Sequence, residues 1–308
     1  MTTPCTTTLD KTKPSFSGHE TFPFRYTWLK KGVDAVTDDP SVFSSDQATI
    51  ALGVGKNMVR SIRHWCTAAG LVQAGADRTR LEPTNLGRAI FADDGFDPYL
   101  EDSATLWLIH AQLASKASRA TTWYWAFGFF NQNEFRKERF TADLIDWAGK
   151  NGRDRISENS INRDVDCFLR TYVPSRMTKE GIMEDSFNCP LVELGLISDS
   201  PDGLTYQFHR GAKPSLPTPV FAAVLARLWE SRFDDRNSLA LSEIAYSPES
   251  PGQIFKLDED SVVGYLEELE SLTDGALRYD ETAGLKQVYR EKKVDKIGLL
   301  RNHYRQSS

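Results

Sequence analysis

Residues 46–72 of this 308-residue chain have the sequence DQATIALGVGKNMVRSIRHWCTAAGLV, which contains the clearest structural pattern in the protein. Two helix-forming runs, 46–52 and 56–69, are separated by Gly53-Val54-Gly55. Glycine tolerates the left-handed backbone that a tight corner between two helices requires. The stretch therefore predicts a helix-turn-helix.

The second predicted helix has two different faces. Its apolar residues recur at spacings of three and four, the period of a buried helical stripe. They are Met58, Val59, Ile62, Trp65, Cys66 and Ala69. Lys56, Arg60 and Arg63 recur with the same period on another side, next to Asn57. Because Arg and Lys contact phosphates and guanine edges, and Asn contacts adenine, this side is predicted to face a nucleic-acid groove.

The residues after this helix fit a β-hairpin wing. Two strand-like runs, 71–73 and 79–81, flank a turn at 74–77, with Arg78 and Arg80 just beyond the turn. Thr84 is placed to cap a further helix that ends at Phe91. Between residues 53 and 91, six Lys or Arg oppose two acids, whereas the whole chain has a formal net charge of -6. This local excess favours nucleic-acid contact over the alternative, a protein-interaction module with a solvated basic face.

Length and composition limit the remaining possibilities. The chain is long enough for two or three domains, and 40% hydrophobic with 26% charged residues is typical of globular proteins. Its net negative charge argues against charge-driven coating of nucleic acid, so any binding must use local patches. The four cysteines form no CxxC pair, which argues against a zinc ribbon or a disulfide framework. Without an apolar run that could span a bilayer or serve as a signal peptide, the sequence predicts a soluble cytoplasmic protein.

Residues 17–32, SGHETFPFRYTWLKKG, are dense in aromatic and basic residues. One interpretation is a phosphate-contacting or catalytic cluster, since His and Glu can move protons and cations can hold a phosphodiester. Its members would be His19, Glu20, Arg25, Lys30 and Lys31. The other interpretation is a structural arm, whose aromatic residues pack on the winged helix while its charges stay in solvent. Composition alone leaves both open.

The rest of the chain repeats the helix-turn-helix outline twice. Helices are predicted at 140–147 and 157–172, and again at 220–229, 241–246 and 258–269, followed by a hairpin at 277–279 and 287–289. Short strands are predicted at 191–197 and 204–209. The aromatic residues between 103 and 130 are predicted to form core, because they are bunched and no cations are interleaved within the runs 103–113 and 123–130. On helix 157–172 four charged residues are predicted to face outward. Two of them, Asp166 and Arg170, are predicted to form a surface ion pair because they lie four residues apart. The four are Arg163, Asp164, Asp166 and Arg170.

The charge of the C-terminal region changes sign along its length. Helix 258–269 and the residue after it carry six acids and no Lys or Arg, so this helix should repel a phosphate backbone. It is predicted to be a scaffold or a partner-binding surface. Between residues 278 and 305, eight Lys or Arg oppose four acids. This tail is either a second DNA-contacting patch or a solvated helix.

The predicted fold is mainly α, with repeated winged helix-turn-helix-like modules around a helical core and short β-hairpin wings. Four segments are expected. They are a disordered N-terminus (1–14), the N-terminal arm with a winged-helix DNA-binding domain (15–92), a helical domain with a helix-turn-helix-like outline (93–175), and a C-terminal winged-helix-like domain with a basic tail (176–308).

Six stretches of the chain together resemble a known bacterial family. They are SGHETFPFRYTWLKKG, LGVGKNMVRSIRHW, DPYLEDSATLWLIH, RDVDCFLRTYVP, CPLVELGLI and SPGQIFKLDEDSV. The family has long been labelled as of unknown function, and its members are encoded beside sulfotransfer enzymes of the PAPS-reductase type. It is similar to the SspB component of the single-stranded DNA phosphorothioation systems, which mark DNA and support defence against phage. The resemblance extends over residues 15–304.

The resemblance implies a DNA-nicking role, in which one strand is opened so that partner proteins can exchange a phosphate oxygen for sulfur. It implies duplex DNA and other phosphorothioation proteins as partners. It assigns no catalytic residue to a position in this chain. The sequence itself contains no GIY-YIG, HNH or recognisable PD-(D/E)xK arrangement.

The preferred hypothesis is a metal-dependent DNA nicking endonuclease. Catalysis is assigned to His19 and Glu20, with Arg25 holding the phosphate. DNA binding is assigned to Lys56, Asn57, Arg60, Arg63, Arg78 and Arg80, together with Lys30 and Lys31. Mg²⁺ is the expected cofactor, because a divalent metal commonly offsets leaving-group charge in phosphodiester hydrolysis, although the sequence identifies no metal ligands.

Two other functions remain open on the sequence. The first is a non-catalytic DNA-binding adaptor or transcription regulator that docks the sulfur-transfer machinery on the acidic helix at 258–270. The second is a pure protein scaffold. Because winged helices often pair, a homodimer is one expected assembly.

Overall fold

The computed structural model describes residues 14–77, 80–152, 157–174 and 189–307. Within these ranges the protein is mainly helical, with three small antiparallel sheets. The helices are α1 (Tyr26–Asp38), α2 (Ala48–Leu52), α3 (Lys56–Ala68), α4 (Asn85–Phe91), α5 (Ser103–Leu113), α6 (Thr121–Gly128), α7 (Lys137–Lys150), α8 (Glu158–Tyr172), α9 (Thr218–Arg232), α10 (Leu241–Tyr246), α11 (Pro251–Ile254), α12 (Glu259–Leu272) and α13 (Lys296–Ser307). The strands are β1 (Val72–Ala74), β2 (Leu81–Pro83), β3 (Glu134–Arg136), β4 (Ile197–Asp199), β5 (Thr205–Phe208), β6 (Ser238–Ala240), β7 (Leu277–Thr282) and β8 (Leu285–Arg290). The predicted class, mainly α with short β-hairpins, is confirmed.

The helices of the 46–72 stretch form where the sequence predicted them. Gly53 ends α2 with a φ of +62°, the left-handed conformation that glycine adopts without strain. The hairpin β1–β2 follows α3, and its strands begin one or two residues later than predicted. Thr84 caps α4 as predicted, because its hydroxyl accepts a hydrogen bond from the Gly87 N–H at 3.0 Å. Arg78 and Thr79 lie outside the described residues, as do residues 1–13 of the predicted disordered start.

The two three-stranded sheets share one topology. In each, the first strand pairs with the third and the third pairs with the second, giving the orders β3-β5-β4 and β6-β8-β7. Helices separate the first strand from the other two in sequence, namely α7 and α8 in one sheet and α10 to α12 in the other. Each sheet is thus completed by a hairpin that follows a group of helices, as β1–β2 follows α2 and α3.

One predicted strand is wrong. The strand predicted at 191–197 does not form at its start: Pro190–Leu194 is a short 3-10 helix, and β4 begins only at Ile197. Pro190 occupies the first helical position, where its fixed φ favours a helical turn. Gly195 then ends the turn with a φ of +58°. Local backbone preference therefore overrides the apolar pattern that had suggested a strand.

Aromatic residues fill the centre of the molecule. α5 and α6 are buried along almost their whole length, and Trp107, Trp123 and Phe127 are fully buried. The prediction that this segment is core is confirmed. One contiguous apolar cluster extends from Phe24 in the N-terminal arm to Tyr304 in α13. None of the described helices is both long and apolar enough to cross a membrane.

Two buried basic side chains connect the central helices to the C-terminal elements. His110 on α5 contacts the Tyr172 hydroxyl and donates to the Ile254 carbonyl, both at 2.8 Å. Burial lowers the pKa of His110 to about 3, so the ring is neutral at pH 7. The Lys256 ammonium donates to the carbonyls of Ala126 and Phe127 at 3.2 and 3.4 Å, at the C-terminal end of α6. The helix dipole favours a cation at that end, so Lys256 helps to position α6.

A matched pair of glycine substitutions tests the packing of α4. A Cβ on Gly87 would lie 2.1 Å from the Leu71 carbonyl oxygen, whereas one on Gly264 in α12 would meet no atom within 4 Å. We expect Gly87→Ala to lower the free energy of unfolding by about 1–3 kcal/mol. Gly264→Ala should raise it by about 0.5–1 kcal/mol, because Ala is the better helix former. Urea unfolding followed by circular dichroism measures both, and a neutral Gly87→Ala would contradict the close approach of α4 to Leu71.

Candidate nucleic-acid interface

The outward face of α3 carries the residues predicted to contact nucleic acid. Lys56, Asn57, Arg60 and Arg63 are all exposed, while the apolar side of the helix is buried. The helix has 13 residues and so is about 20 Å long, enough to follow several phosphates of a groove. The side chains of Lys56 and Arg63 form no ion pair with any residue in the described ranges. We call these four side chains the α3 face.

Arg60 connects the α3 face to the N-terminal arm. Its Nη1 lies 3.5 Å from Glu20 Oε1, and the two side chains are 55% and 34% exposed. An exposed ion pair of this kind contributes about 0–1 kcal/mol, so a phosphate can compete with Glu20 for the guanidinium. The structure therefore places Glu20, a predicted catalytic residue, at the edge of the α3 face.

The two lysines of the arm have intramolecular partners. Lys30 Nζ donates to Asp34 and Asp93 at 2.7 and 3.0 Å. Lys31 Nζ donates to the Leu52 carbonyl at the end of α2, at 3.0 Å. Both lysines thus hold α1 against its neighbours, and their contact with DNA stays a prediction. Arg80 is exposed at the start of β2, whereas Arg78 lies outside the described residues.

His19 lies in the interior, with 1% of its surface exposed. Its Nδ1 accepts a hydrogen bond from the Thr21 N–H at 3.1 Å, and its Nε2 lies 2.7 Å from Asp164 Oδ1. Only the neutral ring with its proton on Nε2 satisfies both contacts. Both nitrogens are then occupied, and this geometry supports a structural role for His19.

Asp164 on α8 is the acceptor at the centre of this arrangement. It is 2% exposed and accepts from the Ser17 N–H at 2.7 Å, from His19, and from the Thr122 hydroxyl at 2.5 Å. Burial by itself raises the pKa of this carboxyl, but the hydrogen bonds from His19, Ser17 and Thr122 hold the pKa below its usual value. Asp164 therefore remains ionised in the interior.

Two predictions about the charged residues of α8 are wrong. Asp164 does not face outward, because the arm covers this side of the helix. Its position three residues after Ile161 and four before Phe168 is the spacing of the buried stripe, which was the available sequence signal. Arg170 does not pair with the Asp166 carboxylate either. Its Nη2 donates to the Thr21 carbonyl at 2.6 Å, and the Asp166 carboxylate pairs with Lys137.

The backbone of the arm is held from α3 as well as from α8. Ser61 Oγ donates to the His19 carbonyl at 2.9 Å, and Trp65 Nε1 donates to the Phe22 carbonyl at 2.8 Å. Ser17, Glu20 and Thr21 have φ values of +66°, +49° and +67°, which only a well-supported turn sustains in residues with side chains. We call the contacts of residues 17–22 with α3, α6 and α8 the arm clasp. A side chain at Gly18 would not fit into it, because a Cβ there would lie 2.3 Å from His64 Nδ1.

Phe24 and Trp28 of the arm pack as the structural interpretation predicted, whereas Tyr26 is 39% exposed. Phe24 and Trp28 are buried, and the Phe24 ring packs on Trp65 at a centroid distance of 5.5 Å. The Arg25 guanidinium lies 5.6 Å from the Trp28 ring centroid, at the N-terminal end of α1. Arg25 thus packs against an aromatic residue that anchors the arm.

The described residues contain no cluster of side chains that would by itself hold a metal ion. No group of three or more His, Cys, Asp or Glu side chains that could hold a metal ion occurs in residues 14–77, 80–152, 157–174 and 189–307. Asp34 and Asp93 line a groove of about 1300 Å³ between α1, α4 and α13. The Lys30 ammonium already bridges these two carboxylates.

Comparison with known proteins shows the family of the chain. Residues 16–304 match the family described as Protein of unknown function (DUF4007). A magnesium-ion-bound SspB crystal structure is 32% identical, with a TM-score of 0.84 over 94% of this chain and 88% of that chain. The chain belongs to this SspB-like family. A second SspB crystal structure is 30% identical, with a TM-score of 0.83 and the same coverage. No curated protein matches the chain.

The family assignment confirms the resemblance seen in the six sequence stretches. The likeness covers the arm, the α3 face and the C-terminal elements, since the matched range ends at residue 304. The likeness to the two SspB structures extends to both fold and sequence.

The arm clasp can be tested by its effect on stability. Asp164→Asn should lower the free energy of unfolding by about 1–3 kcal/mol, because the amide removes the charge and replaces an acceptor oxygen by a donor. Since folding lowers the pKa of Asp164, this stabilisation is present above the ordinary Asp pKa and is lost as the pH falls through the lowered value. The difference between wild type and variant in urea unfolding should therefore shrink on acidification.

The matched control is Asp166→Asn on the same helix. Asp166 is half exposed and pairs with Lys137, so its replacement should change stability by no more than about 0.5 kcal/mol. Equal effects of the two substitutions would show that the arm clasp does not stabilise the fold.

Proposed function

We propose that this chain is a DNA-binding component of a DNA phosphorothioation and phage-defence system, and that it nicks one strand of duplex DNA to permit sulfur incorporation. The α3 face is the main structural support for DNA binding. It presents three cations and an Asn in a row, two of the cations without an ion-pair partner in the described residues. The similarity to SspB supports the system to which the activity belongs.

The hairpins support a winged-helix interpretation of the fold. β1–β2 follows α3, β4–β5 follows α8, and β7–β8 follows α12. In DNA-binding helix-turn-helix proteins the second helix of the pair enters the major groove. By this rule α3, α8 and α12 are the three candidate recognition helices.

Charge and burial distinguish the three helices. α3 presents the row of cations. α8 is covered by the arm clasp at Asp164, so that part of its surface is not available to a groove. α12 exposes acids, which repel a phosphate backbone. DNA is therefore expected on α3 and its hairpin.

The acidic helix favours a second function. α12 and its N-cap residue expose Asp258, Glu259, Asp260, Glu267, Glu268 and Glu270. A partner protein with a basic surface would find complementary charge there, which supports the adaptor that binds DNA through α3 and docks other phosphorothioation proteins on α12. A homodimer and a cytoplasmic location remain predictions.

Salt dependence tests the contact of the α3 face with DNA. We expect the double variant Lys56→Gln, Arg63→Gln to bind duplexes of any sequence more weakly, because phosphate contacts release counterions irrespective of sequence. The slope of log K against log salt should flatten by up to about 2. Fluorescence anisotropy at several salt concentrations measures it.

The control is the double variant Arg139→Gln, Lys150→Gln on α7, which removes the same charge from two exposed ion pairs. Its slope should equal that of the wild type. If the two double variants behave alike, net charge rather than the α3 face governs binding.

A plasmid assay separates the nickase from the adaptor. We expect the wild type to convert supercoiled plasmid to the open-circular form with magnesium and not with EDTA, since a divalent ion commonly stabilises the leaving group. The Lys56→Gln, Arg63→Gln variant should nick more slowly because it binds less DNA. A gel shift without any nicking, in the presence of partner proteins, would favour the adaptor.

Variants of the arm locate the catalytic residues. Glu20→Gln and Arg25→Gln change surface side chains that the sequence assigned to catalysis, and retention of wild-type nicking in both would end that assignment. His19→Ala is compared with Ser61→Ala, Trp65→Phe, which weakens the arm clasp and leaves His19 intact. Equal losses of activity would mean that His19 acts by holding the arm.

A further inference from the structure

Lys116 lies at the C-terminal end of α3, and two arginines, Arg119 and Arg227, are close enough to act on it electrostatically. Lys116 and Arg119 belong to the turn between α5 and α6, and Arg227 belongs to α9. Lys116 Nζ approaches Gly70, the glycine after α3, so closely that a Cβ on Gly70 would lie 2.4 Å from it. The Arg227 guanidinium donates to the Ser115 hydroxyl and the Ala111 carbonyl at 2.5 and 3.4 Å, at the end of α5.

This cluster has no matching carboxylate in the described part of the chain. None of its three side chains forms an ion pair there within 4.0 Å. Glu249 acts electrostatically on Arg227, but its carboxylate is already bound by Arg232 at 2.6 Å. The positive charges of the cluster are therefore not paired with a carboxylate of the described residues.

Two of the three cations have lowered pKa values, and burial is the largest cause in both. Burial is the main cause that lowers the pKa of Lys116 to about 8, and the charges of Arg227 and Arg119 lower it further. Burial also lowers the pKa of Arg227 to about 10. Like charges that are partly removed from water destabilise a fold unless an anion accompanies them. A bound anion would remove this cost.

A histidine next to the cluster leaves a polar atom unused. His64 Nε2 is buried without a hydrogen-bond partner among the described residues. Burial is the main cause that lowers the pKa of His64 to about 3, and the charge of Arg119 lowers it further, so the ring is neutral and can donate from one nitrogen. His64 follows Arg60 by four residues on α3, which connects the cluster to the α3 face.

We propose that Lys116, Arg119 and Arg227 form a binding site for a phosphate-type oxyanion at the C-terminal end of α3. Lys and Arg are the usual protein ligands of phosphate. The site rests on the proposed function only for the source of the phosphate, which is either the backbone of DNA bound along the α3 face or a free phosphate compound. The competing explanation is purely structural, with Lys116 as a cation that stabilises the C-terminal end of α3.

Thermal unfolding of the full chain in phosphate and in chloride, at equal ionic strength, tests the site. Phosphate should raise the melting temperature of the wild type, and chloride should not. Lys116→Met and Arg119→Gln should each lose this rise and bind inorganic phosphate about tenfold more weakly in calorimetry. The controls Lys150→Met and Arg139→Gln, both in exposed ion pairs on α7, should keep it.

The melting temperature without phosphate separates the site from the structural explanation. Lys116→Met should then melt at or above the wild type, because it removes an unpaired, partly buried charge. A lower melting temperature would identify Lys116 as a stabiliser of α3 and overturn the proposal. So would an equal rise in chloride, or a phosphate effect that survives in both variants.

The source of the phosphate follows from DNA binding by the same variants. A flattened salt slope in Lys116→Met and Arg119→Gln assigns the site to the DNA backbone. An unchanged slope, together with lost phosphate binding, assigns it to a free phosphate compound. Because the phosphate titration contains no DNA, its result is independent of whether the chain binds or nicks DNA.

Discussion

The hydrogen-bonded carboxylate of Asp164 is the interaction on which the placement of the N-terminal arm depends. A buried charge is costly unless its lone pairs are satisfied, and Asp164 accepts from the arm backbone, from His19 and from Thr122. The same arm is held from the other side by Ser61 and Trp65 of α3. The clasp thus ties α3, which carries the proposed DNA-binding face, to the aromatic core around α6 and α8.

The arm clasp gives different environments to two residues that are neighbours in the sequence. His19 and Glu20 are neighbours, yet His19 is buried in the clasp and Glu20 reaches the surface beside Arg60. The turn at residues 17–21, with its positive φ values, is what points the two side chains apart. Adjacent acid-base residues therefore need not form one chemical site, because the backbone conformation decides which side chains share a space.

Charge is distributed unevenly over a chain whose net charge is -6. The cations of α3 and the acids of α12 lie on different helices, so binding of DNA and binding of a basic partner would use different residues. The cluster of Lys116, Arg119 and Arg227 extends the positive region beyond the end of α3. Local fields of this kind can attract a polyanion although the whole molecule repels it.

The sequence by itself determined the helices α2, α3 and α8, the glycine turn before α3, the hairpins β1–β2 and β7–β8, the exposed row of cations and the family. These depend on local periodicity and backbone preference, which are readable within about 20 residues. Only the tertiary structure decided that Asp164 is buried, that Arg170 holds the arm, and that Lys30 and Lys31 have intramolecular partners. It also brought Lys116 and Arg227 together across more than 100 residues. Such contacts depend on which surfaces of different helices meet, and no local pattern encodes that meeting because its partners are distant in the chain.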